Sequence, residues 1–311
     1  MCGQRLQGRT NVTSGRSAAT LSLIEHSARA NVSSAGHRRI RFTARSEKCI
    51  ITFAAASPTT GTLSRRGGIA VTLVLLTNAT QYAGPGALEA LLGEGHVVVC
   101  HDPTFGDPTA RAAFDRARPR ARAIAALSPE DVHREVVDRW DLPDAIVLNA
   151  VHPITRTEFD AIDLWDLRDA FAQLVLAPIR LAQLFLPAFR ERRRGAFVFV
   201  TSAREFCPEP GFAAPTALRA AATAFGKALA KEAAPFGVQV NVVAPNYLES
   251  EMYYPRHRFV DDPAGRETVA RAVPFGRLGQ QAEVGALIAF LASGKSPFTT
   301  GQVVGFTGGW P

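Results

Sequence analysis

From residue 69 to the end, the chain alternates short apolar runs with stretches of helical pattern, which limits it to few folds. The strand-like runs cover residues 69–76, 96–100, 123–126, 145–149, 196–201, 238–243 and 302–306. The helix-like stretches between them cover residues 84–92, 107–116, 129–140, 164–192, 216–234 and 281–292. Strands that alternate with helices form parallel sheets covered by helices on both faces. The sequence therefore predicts one doubly wound α/β domain over residues 69–311, with a seven-stranded parallel sheet in three αβα layers.

The excess positive charge lies in a head that precedes this pattern. Of 35 Lys+Arg and 28 Asp+Glu in the chain, residues 1–70 hold 11 and 2, which leaves 24 and 26 for the remainder. The head is thus about +9 and the remainder about −2, which argues against a basic nucleic-acid-binding surface on the folded part. Residues 1–68 have three interpretations: a disordered basic tail, a transit-like segment, or a stretch ahead of the true start codon.

The spacing of the cysteines and the length of the apolar runs indicate the cellular compartment of the protein. Cys2, Cys49, Cys100 and Cys207 are far apart and have no paired spacing, which argues against a disulfide framework or a zinc site. No uninterrupted apolar run reaches the roughly 18–20 residues that cross a bilayer. We therefore expect a cytoplasmic protein without a membrane span or a bound metal.

The loop after the first strand is the place where a dinucleotide fold carries its glycine-rich phosphate cradle. This loop keeps only Gly84 and Gly86, while Thr77 and Tyr82 occupy space that a pyrophosphate needs. Asp102, after the second strand, could bind a ribose, but without the glycines a structural role is favoured. The loop therefore predicts that no nicotinamide cofactor is bound, with NAD(P) as the alternative.

The sequence resembles the short-chain dehydrogenase/reductase superfamily, which has a Rossmann-like fold, and within it most closely the halohydrin dehalogenases. Ser202 and Arg219 are the outer members of the dehalogenase pattern S-x12-Y-x3-R. Thr77, Tyr82 and Gly84 satisfy T-x4-F/Y-x-G, which replaces the glycine loop in those enzymes. Further similar stretches lie at residues 244–251, 290–294, 300–303 and 308–309. The resemblance covers residues 69–311.

One position departs from the family pattern. The middle member of the triad is Pro215, where the family has the tyrosine that takes the proton of the substrate hydroxyl. A tyrosine there would face Arg219 one turn later, and the arginine would stabilise its phenolate. General base catalysis contributes about 10²–10⁴-fold, so its loss is severe. Three residues could supply a substitute base from nearby loops: Tyr82, Glu205 and Glu209.

The resemblance implies a site and an assembly. Ser202 would bind the substrate oxygen, and Arg219 would tune or replace the base. The substrate and a small anion such as halide, azide or cyanide would contact Thr77, Tyr82, Gly84, Pro153, Pro245, Asn246, Tyr247 and Leu248. The Ala-rich helix at residues 216–234 would pack against its copy in another subunit, giving a dimer or tetramer.

Three functions remain open from the sequence. The first is a lyase that interconverts vicinal halohydrins with epoxides and halide. The second is an NAD(P)-dependent oxidoreductase, which Tyr82, Arg219 and Pro215 disfavour. The third is a catalytically silent relative that binds a small ligand or stabilises an oligomer, which Pro215 favours.

Overall fold

The structure is a computed structural model, and it describes residues 72–311. The sheet contains β1 (Leu73–Thr77), β2 (Val97–His101), β3 (Ala121–Ile124), β4 (Ala145–Asn149), β5 (Gly195–Val200), β6 (Val238–Pro245) and β7 (Val303–Phe306). The helices are α1 (Gly84–Gly93), α2 (Pro108–Ala117), α3 (Pro129–Trp140), α4 (Leu164–Phe171), α5 (Ala177–Arg192), α6 (Ala213–Ala233), α7 (Arg256–Phe259), α8 (Pro263–Ala272) and α9 (Gln281–Ala292). The predicted head, residues 1–68, lies outside the described residues.

The seven strands form one parallel sheet in the order β3-β2-β1-β4-β5-β6-β7. In its centre, Leu75 of β1 lies opposite Val99 of β2 and Ile146 of β4. After β3 the chain crosses to the other side of β1, where β4 to β7 follow, so the strand order reverses between β1 and β4. Doubly wound folds bind ligands in the crevice at such a point. The predicted seven-stranded, Rossmann-like sheet is confirmed.

Alternate side chains of the central strands enter two different cores. Val74 and Leu76 belong to the core that α1 and α9 cover. Leu75, between them, belongs to the core on the opposite face, which includes buried residues of α3, α5 and α6. Because both faces of each strand are buried, the strands read as continuous apolar runs rather than alternating ones.

Local signals place some helix boundaries well. Helix α3 begins after Ser128, as predicted, and the Ser128 hydroxyl oxygen accepts a hydrogen bond from the Asp131 N–H at 3.1 Å. A serine in this position satisfies one of the N–H groups that the first helical turn leaves without a partner. Pro129 follows at the first helical position, where a missing N–H costs nothing.

The long helical region at residues 164–192 is one continuous helix with an irregular middle. The irregularity is a π-helical turn, Ala172–Leu176, between α4 and α5. Pro178 follows this turn directly, and because it has no N–H and its ring crowds the carbonyl four residues earlier, the regular α-helical pattern cannot run through it; Pro187 is accommodated inside α5. Helices α7 and α8, between β6 and α9, were not predicted because their apolar periodicity is weak.

One helical segment in the described range meets a length-and-hydropathy test for a membrane span. This segment is Leu164–Arg192. Its most apolar stretch of 18 residues has a mean hydropathy of 1.4, and 39% of that stretch is buried. Leu181, Phe185 and Phe189 from this segment pack into the core beneath the sheet. A helix that covers a core passes the same test, so the finding is weak evidence for a span.

Candidate functional site

The loop between β1 and α1 is fixed to the centre of the sheet by two asparagines. The Asn149 amide donates to the carbonyl oxygens of Asn78 and Gln81, both at 2.9 Å. The Asn78 amide donates in return to the Asn149 carbonyl oxygen at 2.7 Å. Asn78 and Tyr82 adopt left-handed backbone conformations, with φ of 47° and 53°. The loop is thereby folded so that the Tyr82 side chain turns into the protein.

Tyr82 forms a wall of the site. Its side chain is 7% exposed, and its hydroxyl donates to the Thr201 carbonyl oxygen at 3.1 Å. Burial raises the pKa of Tyr82 well above its usual range, although the nearby Arg219 charge acts in the opposite direction. A phenol that burial keeps in its neutral form does not accept a proton readily. The structure therefore disfavours Tyr82 as the substitute base.

A cavity of about 490 Å³ opens at the carboxyl ends of β5 and β6. Of the eleven residues that the sequence assigns to the site, eight line this cavity: Tyr82, Ser202, Pro215, Arg219, Pro245, Asn246, Tyr247 and Leu248. Loops that are distant in sequence thus meet at one place, as the fold requires of the carboxyl ends of neighbouring parallel strands.

The other three predicted site residues lie elsewhere. The Thr77 hydroxyl donates to the Val147 carbonyl oxygen at 3.4 Å, and Thr77 lines a separate cavity of about 70 Å³. Gly84 is a packing residue, because a Cβ there would lie 2.3 Å from the Asn78 carbonyl oxygen. Pro153 is exposed at the surface. Their assignment to the substrate and anion site is corrected accordingly.

Ser202 presents its hydroxyl to the cavity from the end of β5. It caps a short 3-10 turn, Ala203–Glu205, and its oxygen accepts from the Arg204 N–H at 3.3 Å. Within residues 72–311 no protein acceptor takes the hydroxyl proton. That proton is available to a ligand oxygen in the cavity.

Arg219 and Pro215 lie one turn apart on α6, as the i, i+4 spacing predicts. Pro215 is in the first turn, where its missing N–H breaks no hydrogen bond. Arg219 is 5% exposed, and its Nη1 donates to the Ala150 carbonyl oxygen at 2.9 Å. Its Nη2 donates to the Tyr253 hydroxyl oxygen at 3.3 Å. In the described part of the chain, no carboxylate forms an ion pair with this buried guanidinium.

Sequence reasoning missed several residues of the cavity wall, among them the polar side chains of Arg204, Tyr253 and Tyr254. The Tyr254 hydroxyl donates to the Asn246 Oδ1 at 3.2 Å and accepts from the Arg204 Nη2 at 3.1 Å. Burial raises the pKa of Tyr254 to about 12, although the Arg204 charge opposes this shift. No motif spacing links the two tyrosines to Arg204 or Arg219, so only the folded chain reveals these pairs.

The two acidic candidates for a substitute base do not line the cavity. Glu209 is held by the Arg204 Nη1, 2.5 Å from its Oε2. Burial raises the pKa of Glu205, although the neighbouring Thr223 side chain and the Lys227 charge, both on α6, oppose this shift. Glu205 thus faces α6 rather than the cavity.

Charge in the cavity is of one sign. Four arginines line it, Arg156, Arg204, Arg219 and Arg258, and no carboxylate of the described residues does so. Fixed cations around a partly enclosed space raise the local concentration of anions. The cavity therefore suits a small ligand that is, or that releases, an anion.

Comparisons with known proteins give the family. A family model described as enoyl-(acyl carrier protein) reductase matches residues 125–311. An oxidoreductase of Bacillus subtilis, YmfI, is 31% identical over 247 residues, which cover 76% of this chain and 97% of the relative. A solved structure titled "Dehalogenation enzyme" is 34% identical with a TM-score of 0.75, and the match covers 78% of this chain and 98% of that one. The halohydrin dehalogenase HheC, bound to ethyl (2S)-oxiran-2-ylacetate, is 30% identical with a TM-score of 0.75. The match covers 77% of this chain and 97% of that one.

The prediction that the chain uses no cofactor is contradicted by the comparisons. A 3-oxoacyl-[acyl-carrier-protein] reductase of Thermotoga maritima is 32% identical over 184 residues, which cover 58% of this chain and 71% of the relative. With the reductase family model, it points to NAD(P) use. ElxO with NADP bound shares the fold, at 19% identity and a TM-score of 0.69. The prediction was wrong because it rested on the first loop, whereas similarity to reductases extends over most of the domain.

The groups that would hold a dinucleotide are engaged by the chain itself. The Gly86 N–H, at the start of α1, donates to the Gln281 Oε1 at 3.0 Å, and the Gln281 Nε2 donates to the Tyr82 carbonyl oxygen at 2.7 Å. Asp102 is fully buried, and its oxygens accept from the backbone and hydroxyl groups of Thr80 and Thr104. The described conformation does not fit a dinucleotide, and binding one would require Tyr82 and Gln281 to move.

The fold, the order of the motifs and the extent of the matches agree with one another. The match covers 97% of the Bacillus subtilis relative, and the solved structures above 25% identity include a halohydrin dehalogenase and the protein titled "Dehalogenation enzyme". The chain belongs to the short-chain dehydrogenase/reductase family.

Proposed function

We propose that the protein interconverts small vicinal halohydrins with epoxides and halide in the 490 Å³ cavity. The observation that carries the proposal is the buried Arg219 guanidinium, which shares the cavity with the Ser202 hydroxyl and has no carboxylate partner within residues 72–311. A buried charge without a counter-ion is costly, and an anion in the cavity offsets that cost. Similarity to the two dehalogenase structures supports the same reaction.

The reaction needs a donor at the substrate oxygen and a place for the halide. The Ser202 hydroxyl binds the substrate oxygen, which gives up its proton to a base in the cavity and closes onto the neighbouring carbon as the carbon–halogen bond breaks. The halide leaves with the bonding electron pair, toward the wall that Tyr82 and residues 245–248 form. In reverse, an anion such as azide or cyanide attacks the epoxide carbon, and the ring oxygen takes up a proton.

Bromide release from a small vicinal bromohydrin tests the proposal with the full chain. We expect release above the uncatalysed rate, and a loss of about 10- to 150-fold in Ser202→Ala, because one hydrogen bond to a developing charge contributes about 1.5–3 kcal/mol. Ser293→Ala, at the exposed end of α9, is the matched control. The absence of release from the unmodified chain contradicts the proposal. Release from Pro215→Tyr alone would then identify a silent relative with an intact cavity.

A second candidate function is an NAD(P)-dependent reduction, which the reductase relatives favour. It predicts oxidation of NADPH in the presence of a small 3-oxo thioester. It also predicts that Tyr82 moves away from Thr201 when the dinucleotide binds. Absorbance at the NADPH band separates this reaction from halide release, because the lyase reaction leaves that band unchanged.

We also propose a homo-oligomer, a dimer or a tetramer. Large apolar side chains are exposed along α4, the start of α5 and α6: Leu164, Trp165, Leu176 and Phe225. Exposed apolar surface of this kind is typical of subunit interfaces.

A cytoplasmic location is proposed as well, supported by the free thiols of Cys100 and Cys207 and tested by cell fractionation.

A further inference from the structure

The contacts of the Arg219 guanidinium single out one side chain. Its hydrogen bonds go to the carbonyl oxygens of Ala150 and Val200 and to the Tyr253 hydroxyl oxygen. The two carbonyls do not titrate, so the phenol is the one ionisable oxygen among these acceptors. A guanidinium that donates to a phenolic oxygen stabilises the negative charge that forms when the phenol loses its proton.

Tyr253 is held so that its oxygen lies at the cavity. Its hydroxyl donates to the His152 carbonyl oxygen at 2.7 Å, and the His152 N–H approaches the same oxygen at 3.5 Å. Its ring packs edge-on against Tyr82, with 5.2 Å between centroids and 84° between planes. Tyr253 lines the cavity together with Ser202 and Arg219. The oxygen thus has two N–H donors that remain in place when its own proton leaves.

We propose that Tyr253 is the general base of this site and supplies the phenol that Pro215 cannot. The inference rests on the proposed function. In the forward direction, the Tyr253 phenolate takes the proton of the substrate hydroxyl and becomes the neutral phenol. The oxygen that loses this proton forms the bond to the neighbouring carbon, and the halide leaves with the electrons of the broken bond. The phenol then releases its proton to water through the cavity mouth, and in ring opening each step runs in reverse.

Other groups near the cavity are less suited to this role. The Tyr82 hydroxyl donates to the Thr201 carbonyl oxygen, and burial holds its pKa high. Tyr254 donates to the Asn246 Oδ1, and its pKa is raised to about 12. Glu209 is paired with Arg204. Among the described residues of the cavity wall, Tyr253 is the tyrosine whose hydroxyl oxygen accepts a hydrogen bond from Arg219, whereas Tyr82 meets that guanidinium with the face of its ring.

The proposal explains how the family tyrosine could be lost. The family phenol would project from position 215 toward Arg219 on the same helix. Tyr253 contacts Arg219 from the loop after β6 instead. The same guanidinium can therefore stabilise a phenolate at position 215 or at position 253. A tyrosine placed at 215 is therefore expected to take over when Tyr253 is removed.

Four variants of the full chain test this, with bromide release from a small vicinal bromohydrin as the readout: Tyr253→Phe, Ser293→Ala, Pro215→Tyr, and Tyr253→Phe combined with Pro215→Tyr. We expect Tyr253→Phe to lower kcat by about 10²–10⁴-fold with little change in KM. Ser293→Ala, which removes a hydroxyl at the end of α9 outside the cavity lining, is the control and is expected to keep the kcat of the unmodified chain. The double variant should regain kcat. Thermal unfolding of each variant shows whether the fold is retained.

The outcomes separate this inference from the proposed function. If Tyr253→Phe keeps the kcat of the unmodified chain, Tyr253 is not the base although the lyase reaction stands. If only Pro215→Tyr releases bromide, the cavity is that of a dehalogenase, and Tyr253 does not act as its base. If no variant releases bromide, the proposed function and the role of Tyr253 both fail.

Discussion

The contact between α1 and α9 offers a sharp test of the packing that positions the first loop. A Cβ built on Gly86 would lie 2.0 Å from the Gln281 carbonyl oxygen, and one built on Gly285 would lie 2.1 Å from the Gly86 carbonyl oxygen. Ordinary van der Waals contact begins at 3.4 Å, so Gly86→Ala forces the two backbones about 1.4 Å apart. Backbone atoms cannot rotate away as the end of a side chain can.

The expected cost is that of overpacking a core, about 1–3 kcal/mol or more. Gly93→Ala, at the other end of α1, is the matched control because nothing lies within 4 Å of its Cβ position. There the alanine gains about 0.5–1 kcal/mol from helix propensity. The two substitutions in one helix should thus change the free energy of unfolding in opposite directions.

Urea and thermal unfolding of the full chain measure the difference. At about 2–4 °C per kcal/mol for a domain of this size, Gly86→Ala should lower Tm by several degrees, and Gly93→Ala should leave it equal or higher. The site should respond too, because Gln281 bonds both the Gly86 N–H and the Tyr82 carbonyl oxygen. Equal stability of the two variants would refute the close backbone contact on which this reasoning depends.

Three further predictions concern the loop, a surface pair and the assembly. Tyr82→Gly should tighten NADPH binding, measured by fluorescence titration, at least tenfold, since it removes the ring that must move for a dinucleotide; unchanged affinity contradicts this. The Arg277 hydrogen bond lowers the pKa of Glu283 to about 2, so the pair stabilises the fold fully above pH 4.5 and progressively less as the pH falls toward 2. Because Glu283 is 41% exposed, Glu283→Gln should cost under about 1 kcal/mol in urea unfolding at pH 7 and nothing near pH 2; an equal loss at both pH values contradicts the assignment. Light scattering should show a dimer or tetramer, and Trp165→Glu, at a side chain 74% exposed, should shift it toward smaller species; a monomeric unmodified protein contradicts the interface.

The sheet and most helices follow from the sequence because their signals are local. Continuous apolar runs predict strands that are buried on both faces, and Ser128 followed by Pro129 predicts the start of α3 to the residue. The π-helical turn at Ala172–Leu176 lies where Pro178 disturbs the helix, but a proline in the sequence does not show whether the helix ends, bends or widens there. Helices α7 and α8 were missed because few of their residues reach the core.

The site was predictable where residues share one element and unpredictable where distant loops meet. Pro215 and Arg219 are on one helix, so their separation by one turn followed from spacing alone. Tyr253 is 34 residues from Arg219, and no periodicity connects them. Thr77 and Gly84 were assigned to the site from a motif, but their roles are to bond the Val147 carbonyl oxygen and to admit a close backbone approach.

The most direct test of the proposed reaction is the ratio of epoxide formed to bromide released when the full chain acts on a small vicinal bromohydrin. Ring closure makes one epoxide for each bromide, so the account predicts a ratio of one, at a rate above that of the buffer and without consumption of NADPH. Bromide without epoxide, or no bromide from the unmodified chain, would contradict the proposed reaction.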